Sequence, residues 1–408
     1  MQGLSRLRNW ALIFLILLGI GVRQSYPALI WGSLLALTLL VISFLWSFFA
    51  LRRLELEAEL SRNPITAGEE TEFVLTLENR KPLPVFWLKV FCYFSGGIKF
   101  RESGYLENVP GNRQFFQDSV RLNWYQRVRR SYALAPAHRG RYRMDRSAFS
   151  YDGFLGLFSR EQGADSALEL MVYPRLYPVL GGDFLARRPR GEKMTRGWIF
   201  TDRSNIVGVR DYQSGDDFKR INWKVTARHN ELKSDIYNPT LQKQVEIVLD
   251  VRTTDYRWEG FAPRRLEGLI SAAGSLARHF LRRDYAVGII SNGVRCGGGD
   301  LRVEPGQSEG QLEEILKNLA SLQPIFRRGV EELAPRLKGE AEIIILSSRP
   351  GLMADSADHF PARPYLLIQD ELGEEPGEIP AGFRPYRCSF SGGDDDGCFS
   401  IEALTAHK

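Results

Sequence analysis

The chain has 408 residues, 44% hydrophobic and 25% charged, a balance that excludes disordered and fibrous classes and leaves room for two to three domains. A mean hydropathy of -0.24 excludes a protein built mainly of membrane helices, and 4 cysteines with no C-x-x-C pair exclude a disulfide scaffold and a zinc ribbon. Net charge is +5, but residues 351–408 hold 4 basic and 11 acidic residues, a net −7 that leaves +12 on the rest.

Two apolar runs open the chain. Trp10–Val22 carries no charge, and Ala28–Leu51 is uncharged over 24 residues, about 36 Å as a helix. The first run has the length of a signal-peptide core, but no small-x-small cleavage site follows it. A transmembrane hairpin over residues 1–53 is expected instead, with helices at about 8–24 and 28–51 and a turn at Arg23–Pro27. Arg6 and Arg8 then share a side with Arg52 and Arg53, so the positive-inside rule predicts a multi-pass protein of the inner (cytoplasmic) membrane with its soluble domains in the cytoplasm.

Residues 54–180 change rhythm. Alternation in Leu54–Glu57 and Thr71–Glu78, a long apolar run at Val85–Phe94 and turn signals at Gly68, Asn79–Pro82 and Pro110–Asn112 predict an all-β, immunoglobulin-like sandwich. Eight arginines between Arg121 and Arg146 alternate with Trp124, Tyr125, Tyr132 and Tyr142. That pattern suits outward strand faces, anionic lipid headgroups or, less well, nucleic acid.

Residues 181–243 form a linker that carries a distinctive segment, Arg210 to Arg228. Gly215 and Asp216 make a turn and a helix cap, and Asp216 and Arg220 stand at i, i+4. Phe218, Ile221 and Val225 share one helical face, Trp223 is a packing anchor, and Lys224 and Arg228 are a basic pair. The segment reads as a latch between domains or as a docking patch for a partner or an anion.

Residues 244–408 read as a doubly wound α/β domain. Val245–Asp250, Tyr285–Ser291, Glu342–Ser348 and Tyr365–Gln369 are strands, and Arg264–Arg283 and Gln307–Leu322 are amphipathic helices. Sites in such sheets form at the carboxyl ends of strands, here Asp250–Asp255, Ser291–Gly293 and Ser347–Arg349. Asp394–Asp396 between glycines is an exposed turn, since it lacks the alternate spacing of a calcium loop.

The segment Arg210-Asp211-Tyr212-Gln213-Ser214-Gly215-Asp216-Asp217-Phe218-Lys219-Arg220-Ile221-Asn222-Trp223-Lys224-Val225-Thr226-Ala227-Arg228 resembles the signature of a prokaryotic membrane-protein family, the "domain of unknown function fifty-eight". His138–Tyr142 and Asp152–Phe158 extend the resemblance. It implies a von Willebrand factor A-like C-terminal domain, a MoxR-type AAA+ ATPase as partner, a transglutaminase-like membrane protein as neighbour, and no established reaction. An A-type magnesium site needs D-x-S-x-S, a Thr and a further Asp to supply hard oxygen ligands. Asp250 and Thr254 match, but Arg252 stands where the first Ser is needed and Ser347-Ser348-Arg349 lacks the Asp. Asp255 is a substitute ligand, or Asp250 pairs with Arg252 instead.

With no P-loop and no nucleophile–base set in a recognisable context, the chain is expected to be a non-catalytic, membrane-anchored adaptor that works with a MoxR-type ATPase in complex maturation or envelope homeostasis. The alternative is a metal-dependent enzyme or a ligand-binding protein using the degenerate A-type site with magnesium. Nucleic-acid binding is the weakest reading.

Overall fold

A computed structural model describes residues 2–404 except 96–97, 99–105, 110–112, 154–158, 165, 182–198, 214–216, 242, 255–256, 327, 338–340, 354–356, 362, 370–379, 381 and 392–396. The chain divides into two units, 1–173 and 174–408.

The first unit begins with α1 (Gln2–Arg23) and α2 (Pro27–Ala50), joined by a tight turn in which Tyr26 N–H donates to Gly21 O at 3.0 Å. A Cβ at Gly21 would stand 3.2 Å from Ile30, so glycine is what lets the two helices close here. Among the described residues, α2 is the one helix long and apolar enough to span a bilayer. The charge-free stretch of α1, Trp10–Val22, reaches only about 20 Å as a helix, short of a hydrocarbon core of about 30 Å. The expected pair of transmembrane helices is therefore corrected to one candidate span. The orientation argument goes with it: Arg8 and Arg23 precede that span and Arg52 and Arg53 follow it, so the basic flanks no longer tell the two sides apart.

Ten strands follow: β1 (Leu54–Leu60), β2 (Ile65–Thr66), β3 (Thr71–Asn79), β4 (Val85–Ser95), β5 (Leu106–Val109), β6 (Arg113–Leu122), β7 (Arg127–Leu134), β8 (Gly140–Tyr151), β9 (Arg160–Ala164) and β10 (Leu168–Tyr173). They form a three-stranded sheet, β1-β3-β7, and a seven-stranded sheet, β2-β10-β8-β4-β6-β5 with β9 on β8. Inward residues such as Phe73, Leu75, Leu77, Phe116 and Phe149 are fully buried and fill one core. Ala50 and Leu51, at the end of α2, join that same core, so the apolar helix is seated on the β unit. The β2–β10 pair is parallel, which makes the larger sheet mixed. The all-β, immunoglobulin-like expectation is corrected on that ground: alternation along a strand fixes which face is buried but not its partner.

The second unit contains β11 (Val179–Leu180), β12 (Ile199–Asp211), α3 (Trp223–His229), β13 (Lys233–Leu241), β14 (Gln244–Leu249), α4 (Pro263–Leu281), β15 (Ala286–Arg295), β16 (Asp300–Gly306), α5 (Gln311–Ala320), β17 (Leu322–Phe326), β18 (Glu342–Ser347), β19 (Tyr365–Gln369), β20 (Arg384–Ser391) and β21 (Cys398–Ala403). β12 and β13 form an antiparallel ribbon of their own, so residues 199–241 are not a plain linker. The other strands make a nine-stranded sheet, β11-β21-β20-β19-β18-β14-β15-β16, with β17 on β15. It is parallel from β15 through β20, and antiparallel where β16 and β17 join β15 and where β21 joins β20.

The doubly wound, von Willebrand factor A-like arrangement is corrected here. Between β18 and β19 the described residues form two short 3-10 turns, not a crossover helix. Pro350, Gly351, Pro361 and Pro364 account for this, because each breaks or weakens a helix. The strands at Val245–Leu249, Ile343–Leu346 and Tyr365–Ile368 are wholly buried; apart from Glu246 they are apolar runs of the kind a two-sided parallel sheet buries.

Candidate functional site

Asp250 follows β14 at the point where the sheet switches direction, since the chain runs on to β15 at one side and later to β18 at the other. Such points are the usual place for a site in an open α/β sheet. Its amide is fixed by Leu346 O at 2.9 Å, and its side chain is completely buried.

The carboxylate is fully engaged. Oδ1 accepts from Asn292 Nδ2 at 2.7 Å, from Arg252 Nε at 3.0 Å and from the Arg252 amide at 3.1 Å. Oδ2 accepts from Arg252 Nε at 3.2 Å and from Ser347 Oγ at 3.3 Å. Asn292 closes the ring by accepting Val251 N–H at 2.9 Å, and Ser348 Oγ donates to Arg252 O at 3.2 Å. Three neighbouring strands, β14, β15 and β18, thus meet on one carboxylate, which explains why a buried charge is tolerated there. The pairing of Asp250 with Arg252, one of the two readings of the sequence, is what the structure contains.

These residues do not fit magnesium. A guanidinium occupies the side of Asp250 where a cation would bind, and a cation beside it would be repelled. The Thr254 hydroxyl donates to Gly260 O at 2.9 Å. Thr253 is the buried hydroxyl, accepting Ala262 N–H at 2.9 Å ahead of α4. Asp255 and Asp394–Asp396 lie outside the described residues. Among the described residues, no three His, Cys, Asp or Glu side chains come together in a way that would hold a metal.

The signature segment connects β12 to β13. Gly215 and Asp216 lie outside the described residues, so the expected cap and the Asp216–Arg220 pair do too. Asp217 does the capping that is described: its carboxylate accepts Lys219 N–H at 3.1 Å ahead of a 3-10 turn over Phe218–Arg220. Asn222 then caps α3, accepting Val225 N–H at 3.1 Å and donating to Asp235 Oδ1 at 2.8 Å. Ile221 is buried and bridges to Ser234, Tyr212 N–H donates to Leu232 O at 2.9 Å, and Thr226 Oγ1 accepts Lys233 N–H at 3.0 Å. The segment is therefore held firmly on its ribbon by short polar groups.

Its large side chains do not take part in that hold. Phe218 is 72% exposed and Trp223 65% exposed, so Trp223 is not the packing anchor that its size suggests. Phe218 and Val225 do not share a helical face with Ile221, because the helix breaks at Ile221 and restarts at Trp223. Tyr212 packs on Phe218 with ring centroids 6.0 Å apart. Lys224 and Arg228 do stand one turn apart on α3, both exposed, and Arg210 Nη1 donates to Asp211 O at 3.2 Å. Asn222 and Asp235 were missed as polar partners in the sequence, and Asn292 falls within Ser291–Gly293, one of the expected strand ends, although β15 runs on past it to Arg295.

The basic middle segment is taken up largely within its own unit. Arg127 pairs with Glu78, Arg130 with Asp118 at 2.7 Å, Arg141 with Glu169, and Arg121 stacks over Phe86. His138 O accepts from Tyr142 Oη at 2.8 Å, and Asp152 pairs with Lys89 at 2.7 Å, while Phe154–Phe158 lies outside the described residues.

The comparisons with known proteins agree with the resemblance read from the signature. Residues 208–348 match the family described as "Protein of unknown function DUF58", and this stretch contains both the signature segment and the Asp250 ring. The "Uncharacterized protein YeaD" of Bacillus subtilis (strain 168) is 23% identical over 383 residues, 90% of this chain and 90% of that one. Among solved structures, the CARDB domain of PF1109 from Pyrococcus furiosus is 14% identical and covers 29% of this chain and 91% of that chain, with a TM-score of 0.21. A cohesin module from a Clostridium perfringens family 33 glycoside hydrolase is 12% identical and covers 29% and 96%, with a TM-score of 0.20. Likeness at that level carries no argument about this chain.

Proposed function

We propose that this protein is a membrane-anchored, non-catalytic adaptor whose signature segment docks a protein partner. The observation that carries the reading is the exposed pair Phe218 and Trp223, set among Lys219, Lys224 and Arg228 on a rigidly capped arm. Aromatic side chains flanked by cations on a fixed backbone are the usual energetic centre of a protein interface. An acidic partner surface suits them, and the MoxR-type AAA+ ATPase implied by the family resemblance is the first candidate. The Asp250 ring supports a non-catalytic role, since its only carboxylate already holds an arginine, an asparagine and a serine. α2 supplies the anchor, and an ATP-dependent partner puts the soluble units in the cytoplasm.

Affinity capture of the full-length protein from native membranes, with and without a non-hydrolysable ATP analogue, tests this. The expected result is nucleotide-dependent recovery of an AAA+ ATPase that is lost with Phe218→Ser and Trp223→Ser together and kept with Lys317→Ala, a change at an exposed position of α5. Capture unaffected by the double variant would end the docking reading. Protease digestion of the soluble units from outside intact spheroplasts would end the cytoplasmic one.

A further inference from the structure

The last turn of α2 borders a groove of about 490 Å³ whose apolar wall is Ile42, Leu45, Trp46 and Phe49. Pro82 and Leu83 line it as well, together with the cations Arg52, Arg53 and Lys81. A volume of this size suits a small amphipathic ligand rather than a few waters.

Two observations say that the groove wants an anion at its mouth and a chain along its wall. Lys81 is only 6% exposed, and its ammonium group donates to Arg52 O at 2.8 Å, one acceptor for three donors. Among the described residues no carboxylate pairs with Arg52, Arg53 or Lys81, whereas neighbouring Arg80 is paired with Glu55 at 2.7 Å and with Glu78 at 3.2 Å. Burial alone pushes the Lys81 ammonium down to about 8, the signature of a cation short of a counter-charge. On the wall, Trp46 Nε1 is buried and finds no hydrogen-bond acceptor among the described residues.

The surroundings place this groove at a membrane surface. Arg52 stacks over Phe48 and Phe49 at 4.8 and 5.2 Å, and Arg160 stacks over Phe48 at 4.6 Å, so cations ring the C-terminal end of the apolar helix. Buried Asn79 donates to both Leu83 O and Asn123 O, which ties the Lys81–Pro84 loop to the Asn123–Gln126 loop. Tyr125 N–H donates to Lys81 O at 3.2 Å. Trp87, Trp124 and Tyr125 stand on this same rim, 64%, 68% and 69% exposed. Trp87, Tyr125 and Arg53 also hold left-handed backbone, at φ 55°, 49° and 53°, which bulky residues adopt only where the surrounding structure enforces it. Exposed tryptophan and tyrosine beside unpaired arginine and lysine at a helix exit is the composition of a headgroup layer.

We propose that this groove binds one anionic phospholipid, its phosphate held by Lys81, Arg52 and Arg53 and one acyl chain lying along Ile42, Leu45 and Phe49 of α2. The ligand chemistry is a phosphate monoester or diester joined to a hydrocarbon tail. The proposal rests on α2 being a membrane anchor, and it holds whichever side of the membrane the β unit occupies.

Full-length protein in nanodiscs of phosphatidylcholine carrying a minority of acyl-brominated phosphatidylglycerol, or of brominated phosphatidylcholine, tests it by bromine quenching of tryptophan emission. The brominated anionic lipid is expected to quench at least twofold more strongly at equal mole fraction. That excess is expected to vanish in Trp46→Phe and in Lys81→Gln with Arg53→Gln, and to fall by part in Arg53→Gln alone, an exposed change that leaves the core untouched. Equal quenching by the two lipids, or an excess that survives the cation variants, overturns the proposal. Loss of the excess on adding inorganic phosphate would assign the cations to free phosphate and overturn the lipid reading. Flotation with vesicles separates the two claims: a chain that floats with no vesicle fails as an anchored protein, and one that floats with both lipids but shows no excess quenching fails only here.

Discussion

Arg252 Nε lies 3.0 Å from Asp250 Oδ1 and 3.2 Å from Oδ2, and the carboxylate it holds has no exposure to solvent. The pair links β14 to β15 and to the end of β18 through Asn292 and Ser347. Removing the cation leaves a buried charge with hydrogen bonds but no counter-ion. Arg252→Ala is expected to destabilise the fold by about 3 kcal/mol, the usual result of breaking a buried pair from one side. Adding Asp250→Asn is expected to restore a large part of that loss, because an amide still accepts from the Arg252 amide position and from Asn292 or Ser347. Urea denaturation of the two variants and the parent checks this. Equal destabilisation in the single and double variants would mean that the arginine acts through packing instead.

The same geometry predicts how the protein responds to magnesium. A cation would have to displace the Arg252 guanidinium, so millimolar magnesium is expected to leave the melting temperature unchanged, beyond the small effect of ionic strength. A sodium chloride control of equal ionic strength separates that effect. A magnesium-specific upward shift, which ligand binding to the native state would produce, would show that the guanidinium moves aside and would reopen the metal reading.

In the signature segment, size and structural weight are decoupled. Trp223 is mostly exposed, while Asn222 caps α3 and reaches Asp235. Trp223→Ala is therefore expected to change stability by less than about 0.5 kcal/mol, as surface substitutions do. Asn222→Ala is expected to cost about 1 kcal/mol through the lost cap. Hydrogen exchange at the amides of residues 223–229 reads both directly: faster in Asn222→Ala, unchanged in Trp223→Ala. The opposite order would restore Trp223 as a packing anchor.

Why the sequence misleads there is physical. The run Phe218–Val225 has helical spacing, but Ile221 is extended at φ −70° and ψ 121°, because its side chain must enter the core and its neighbours pair with β13. Periodicity works where one element buries one face, as at α4, expected over 264–283 and found at Pro263–Leu281 with Leu266, Leu269, Ile270 and Leu276 buried. The strand Tyr365–Gln369 is found with the bounds expected for it, since an apolar run directly after Pro364 admits little else. What alternation does not carry is partner and direction: the parallel β2–β10 pair joins residues more than 100 positions apart. Charge runs mislead for a related reason. Arg127, Arg130 and Arg141 look like an open basic surface, and their carboxylates, Glu78, Asp118 and Glu169, come from strands that only the fold brings near. Asp250 and Arg252 were legible as a pair because they are two residues apart, while Asn292 and Ser347 complete the ring from other strands.

Lys81 gives the prediction that tells structure and membrane apart. Its ammonium group is brought down to about 8 by burial, against about 10.4 for a lysine in an unfolded chain. Below pH 8 both states carry the proton and the burial penalty on the native state is complete. Between about 8 and 10.4 the unfolded chain binds the proton more tightly, so unfolding becomes harder as pH rises. The charges that line the groove beside it are Arg52 and Arg53, and the comparison with Lys81→Met holds both of them constant. In zwitterionic detergent, the stability difference between the parent and Lys81→Met is expected to shift in favour of the parent across this window and to be flat below it. An anionic headgroup against Lys81 raises its proton affinity, so the same comparison in phosphatidylglycerol nanodiscs is expected to lose that slope. A slope that persists unchanged with the anionic lipid would mean that no phosphate reaches the ammonium, and a slope absent in both media would mean that water does.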